Sequence, residues 1–165
     1  MPDGISNTGD DVEAAFRRLT GAKRSERAAD GDAVFEGCNI EIKKASSNTL
    51  NQVRAVKFIP LVAFHTPSRT WYVVPAPDIV KAVAVKKRGQ HTENPFESAT
   101  LNLSTLGSFA VAAEHDLTRA VRAAITRGSQ FPQLRDAMRT VLSESKQLAA
   151  SSREEVSHLL RKLGV

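Results

Sequence analysis

The stretch 30–44, Asp-Gly-Asp-Ala-Val-Phe-Glu-Gly-Cys-Asn-Ile-Glu-Ile-Lys-Lys, places carboxylates and ammonium groups close together in the chain. Glu41 and Lys43 are two residues apart, with Asp30 and Asp32 a short way upstream. Oxygen donors of this kind suit hard divalent cations. Magnesium typically takes one or two carboxylates and completes its shell with water or substrate phosphates. An ammonium beside such a pair adds a group that orients water or stabilises developing negative charge.

These residues need two strands and a turn to position them. The pattern predicts one strand over 33–36 and a second over 39–44, joined at Gly37. Strand side chains alternate between faces. Ile40 and Ile42 therefore face a core, Glu41 and Lys43 face the other way, and Lys44 returns to the Ile side. Asp30 and Asp32 both remain candidates for the upstream carboxylate. Asp32 is favoured because it directly precedes the strand and shares a face with Val34 and Glu36, which makes Glu36 a possible further ligand. The competing interpretation is an edge ribbon whose Glu41 and Lys43 pair on the surface, worth under about 1 kcal/mol, with charges that discourage edge-to-edge aggregation.

Asp32 together with Glu41-Ile42-Lys43 resembles the catalytic hairpin of the PD-(D/E)xK nuclease superfamily, which includes many restriction endonucleases and Holliday junction resolvases. Gly31 stands where the motif has proline. The resemblance covers about the first half of the chain. It implies an α/β fold: a restriction-endonuclease-like core with a mixed β-sheet flanked by helices, followed here by a helical C-terminal region. It implies a metal-dependent DNA endonuclease, restriction-enzyme-like, with junction resolution or repair possible through the same chemistry. Asp32 and Glu41 would hold one or two Mg²⁺ ions, for which Mn²⁺ could substitute. Lys43 would orient or deprotonate the attacking water, or stabilise developing charge. Many members carry a further metal-holding acid on the first helix, which places Glu13 in that role; an exposed acid favoured by the helix dipole is the other interpretation. A number of members line the site with a Gln on the helix after the lysine strand, which points to Gln52.

Around this hairpin the periodicity predicts a first helix capped by Asp10 or Asp11, with Val12, Ala15, Phe16 and Leu19 on its apolar stripe. Residues 21–29 are basic and form a loop or short strand, with Lys23, Arg24 and Arg27 as possible phosphate contacts. A helix is predicted over 49–57, strands over 58–64 and 71–74, and a helix over 77–87. The last of these ends in Lys86-Lys87-Arg88 before Gly89, an ordinary stop signal. With His91, the same cluster is the candidate nucleic-acid contact surface. A polar loop follows to about residue 99. The C-terminal third is helical: Asp116 is predicted to cap one helix, and Ser152-Arg-Glu-Glu155 reads as a capping box. The Leu stripe of the last helix suits core or dimer interface equally. Arg119, Arg122 and Arg127 form a solvated or phosphate-contacting face.

A chain of 165 residues is expected to form a single domain, 1–165, with a nuclease-like core in 1–88 and loop and helices in 89–165. The net charge of +5 suits a polyanionic partner such as DNA. The single cysteine, Cys38, excludes an internal disulfide and a cysteine-based zinc site. No apolar run is long enough to span a membrane and no signal-peptide core is seen, so a cytoplasmic location is expected. Cleavage of both strands of a duplex favours a homodimer. The alternative function is a non-catalytic basic nucleic-acid-binding protein that keeps the nuclease fold. A protein-interaction domain with no nucleic-acid role is a third possibility.

Overall fold

The computed structural model describes residues 9–143 and 150–165. The chain opens with helix α1 (Gly9–Thr20), whose Val12, Ala15 and Phe16 are buried. Three strands follow: β1 (Lys23–Arg24), β2 (Ala33–Phe35) and β3 (Cys38–Ala45). After β4 (Thr49–Val53) and a 3₁₀ turn (Ala55–Lys57) come β5 (Leu61–His65), β6 (Thr70–Val74) and helix α2 (Ala76–Ala84). Strand β7 (Ala99–Asn102) and 3₁₀ segments lead to three helices, α3 (Leu117–Ser129), α4 (Pro132–Ser143) and α5 (Ala150–Leu163).

The fold is α/β with a mixed sheet. Its five strands lie in the order β1-β2-β3-β5-β6. β1, β2 and β3 are antiparallel neighbours, β3 and β5 are parallel, and β5 and β6 are antiparallel. Alternation along the strands divides the core in two. Ile40, Ile42, Val62, Phe64, Trp71 and Val73 pack on one face with α1 and α3, through Phe16, Leu117 and Val121. Ala45, Leu61, Ala63 and Val74 face the other side, towards α2, α4, α5 and the small β4–β7 sheet. Burial of these side chains contributes about 1.5–3 kcal/mol for each large residue. No helix among the described residues is long and apolar enough to cross a membrane.

The hairpin forms as expected, with Ala33 opposite Ile40 and Phe35 opposite Cys38. The segment after it does not. Residues 49–57 are not a helix but β4 followed by a 3₁₀ turn. The apolar spacing of Leu50 and Val53 suggests a helical turn, yet it arises from a bulged strand. Both residues are buried, and the β4–β7 register shifts between them. A bulge inserts an extra residue, so side chains three apart return to the same face. Gln52 sits in the bulge with φ +52°.

The later helices differ in their ends. α2 stops at Ala84, and Val85 is exposed. Asp116 makes no side-chain cap; its carboxylate accepts from Arg119 Nη2 at 2.6 Å instead. Ser152 lies inside α5 rather than at its cap. The apolar stripe of α5 is used within the chain, Val156 and Leu160 being buried in the larger core. The three arginines of α3 are ion-paired: Arg119 with Asp116, Arg122 with Glu36, and Arg127 with both oxygens of Asp78. Glu36 is thus held at the exposed hairpin tip by α3, away from the upstream acid. Its pairing with Arg122 lowers the Glu36 pKa.

Candidate active site

Asp32 is fixed by the sheet itself. Its backbone N–H donates at 2.9 Å to O of Ile40, the residue of β3 at which the pairing with β2 ends. The next donor on that edge of β3 is the N–H of Ile42, and here β2 has ended. The Asp32 side chain supplies the missing acceptor: Ile42 N–H donates to Asp32 Oδ2 at 2.8 Å. The carboxylate is therefore anchored beside Glu41 and keeps lone pairs on its second oxygen. Asp30 is exposed and its backbone closes a turn onto Arg27, so of the two acids it is Asp32 whose side chain bonds to β3.

Gly31 explains the departure from proline. Its φ is +146°, and a Cβ there would meet Ile40 O at 2.9 Å. Proline cannot reach that φ, and any side chain would push the turn off β3. Gly31→Ala is expected to destabilise the fold by about 1–3 kcal/mol, measurable by denaturant melting. It should also lower any activity that depends on Asp32.

Glu41 and Lys43 project from the opposite face to Ile40 and Ile42. Lys43 Nζ lies 3.9 Å from Glu41 Oε1. A second ammonium is closer: Lys57 Nζ donates to Glu41 Oε2 at 3.0 Å. The Lys57, Lys43 and Glu41 side chains are only 15%, 19% and 19% exposed, so water screens these pairs incompletely. Lys44 lies on the α1 side by strand alternation, opposite Lys43.

The electrostatics link three acids. Burial, above all, raises the Asp32 pKa, and the nearby Glu41 charge raises it further. The Ile42 N–H, Lys57 and Lys43 pull it down. On α1, Glu13 is raised by burial and by the charge of Asp32, and opposed by Arg17 and Arg24. Glu13 also lies 4.0 Å from Arg17. Glu41 thus acts on Asp32, and Asp32 in turn on Glu13. Among the described residues, no three His, Cys, Asp or Glu side chains converge as a metal-ligating group. Asp32 and Glu41 remain a pair of oxygen donors on adjacent backbone, with a chemistry that fits a hard divalent cation.

Gln52 is not delivered here by a helix. It is exposed on β4, and its backbone N–H donates to Gln90 Oε1 at 2.6 Å. The residue that the crossover brings to the acids is Lys57. Lys57 ends the stretch 49–57 that the sequence suggests as a helix, and no local signal marks it. Its position depends on Phe58, which leaves the 3₁₀ turn in the left-handed region (φ +49°, ψ +51°) and turns the chain into β5. A bulky side chain is rarely found there.

Lys87, Arg88 and His91 are exposed, Lys86 is half-buried, and none forms an ion pair among the described residues. Their loop is tied to the same crossover: Gln90 accepts from Gln52, and Phe96 O accepts from Val56 N–H at 3.0 Å. Lys23 and Arg24 form the exposed edge strand β1 next to β2. His65 ends β5, with its Nδ1 2.6 Å from Ser68 Oγ. No family model matches the chain, and no curated protein or solved structure matches it.

Proposed function

We propose that the protein is a metal-dependent DNA endonuclease with a restriction-endonuclease-like core, and that it hydrolyses phosphodiester bonds. The observation that carries this reading is the Asp32 carboxylate anchored on Ile42 N–H, beside Glu41 and its two lysines. Asp32 and Glu41 would hold one or two Mg²⁺ ions, and Mn²⁺ would substitute. The cation supplies charge neutralisation at a phosphate oxygen and a more acidic water. Lys43 orients the attacking water or stabilises charge developing on the phosphate. Glu13 adds negative potential at Asp32 from α1, which favours cation binding. Lys86, Lys87, Arg88 and His91 contact the DNA backbone, with the basic edge strand as a second phosphate surface. These contacts give affinity rather than sequence choice. A homodimer with one site per strand would cut a duplex.

A second reading is favoured by the Lys57–Glu41 hydrogen bond, which satisfies Glu41 without a metal. In it the protein binds nucleic acid and does not cleave. Incubation with supercoiled plasmid and with branched DNA separates the two. The nuclease reading expects products in Mg²⁺ and none in EDTA. Salt-sensitive binding without products in any metal supports the binding protein.

A further inference from the structure

Resting on the reading of Asp32 and Glu41 as the metal-holding pair, we infer that Lys57 is a resident counter-ion of Glu41 that an incoming cation displaces and that then passes to a substrate phosphate. Three observations converge on it. Lys57 Nζ occupies Glu41 Oε2 at 3.0 Å, a closer approach than the 3.9 Å of Lys43. The Lys57 side chain is only 15% exposed, so its charge acts in a poorly screened place. The backbone is built to deliver it. Ala55 and Val56 are buried, Lys57 N–H donates to Arg54 O at 3.2 Å, and Phe58 takes a left-handed conformation immediately afterwards.

A cation at Glu41 and an ammonium on the same carboxylate repel each other. A cation that takes Oε2, alone or together with Oε1, moves the ammonium off that oxygen. The stem is anchored on the 3₁₀ turn, so the freed ammonium stays beside the acids. A phosphodiester placed there gives it a new anionic partner. Metal and DNA thus bind more favourably together than separately. In the metal-free protein Lys57 keeps Glu41 satisfied and discourages cation binding without substrate.

Two affinities of the full-length protein test this, with Ca²⁺ as a probe that avoids cleavage. One is Ca²⁺ binding by calorimetry without DNA. The other is binding of a short DNA duplex in Ca²⁺. Lys57→Met keeps the apolar stem and removes the charge. It is expected to tighten Ca²⁺ binding on the order of tenfold and to weaken duplex binding severalfold. Lys57→Arg is expected to stay near wild type in both. Effects of opposite sign mark a counter-ion, because a damaged fold would lower both affinities. Lys57→Gln provides the same charge removal if the Met variant melts early. Ca²⁺ affinity unchanged or reduced in both neutral variants overturns the inference and leaves the metal site standing. Absence of Ca²⁺ binding in the wild type overturns the metal reading and the inference with it.

Discussion

Lys43→Ala is expected to lower DNA cleavage by about 10²–10³-fold, and Lys44→Ala by no more than about threefold. The two lysines are neighbours in sequence with the same intrinsic chemistry. Only strand alternation separates them. Lys43 shares its face with Glu41 and lies 3.9 Å from it, whereas Lys44 faces the α1 side with Ile42. Any effect of lowering the net charge on DNA binding is common to both substitutions. The difference between them therefore isolates the contribution made at the acids. Cleavage rates at saturating DNA, with binding measured separately, provide the check. Equal losses would mean that the charge of β3 matters and its orientation does not.

Asp32→Asn should abolish cleavage, a loss of 10³-fold or more on the scale of removing a group that holds reacting charge, while leaving the fold as stable as wild type or more so. The asparagine oxygen can still accept from Ile42 N–H, so the ladder is kept. The charge is removed from a place where it is disfavoured. Burial, then Glu41, raises the Asp32 pKa above its ordinary 3.8. The folded state therefore keeps the proton at pH values where the unfolded chain has lost it. Stability falls as pH rises through that window, and above it the ionised carboxylate works against the fold. Glu13 is raised in the same direction, with Asp32 among its causes. Asn at 32 removes the cost at Asp32 and relieves Glu13. Thermal melting at neutral pH is expected to show a midpoint at or above that of wild type. Added Mg²⁺ should raise the wild-type midpoint, because a ligand of the native state stabilises it. The same addition should leave Asp32→Asn unmoved. A variant that melts well below wild type would show that the carboxylate is structural.

The hairpin was legible in the sequence because strand alternation and a Gly turn are local. They put Ile40 and Ile42 in the core and Glu41 and Lys43 opposite, and the pairing of Ala33 with Ile40 follows. Asp32 was legible as the acid before the strand, but its hydrogen bond to Ile42 N–H required knowing where β2 ends. The crossover is not legible in the sequence, because a bulge between Leu50 and Val53 produces helical spacing in a strand. Lys57 is hidden for a related reason. Its approach to Glu41 depends on a 3₁₀ turn and a left-handed Phe58, which residue types do not announce. On α3 the pairing of Arg122 with Glu36 is not legible either, because the two lie far apart in sequence.

The measurement that tests the central claim most directly is cleavage of plasmid and branched DNA by wild type and Lys43→Ala, purified in parallel, each in Mg²⁺ and in EDTA. Products are expected from the wild type in Mg²⁺ alone, with the preferred substrate distinguishing restriction-like cutting from junction resolution. Equal products from Lys43→Ala, or products that persist in EDTA, would contradict a metal-dependent site built on Asp32, Glu41 and Lys43.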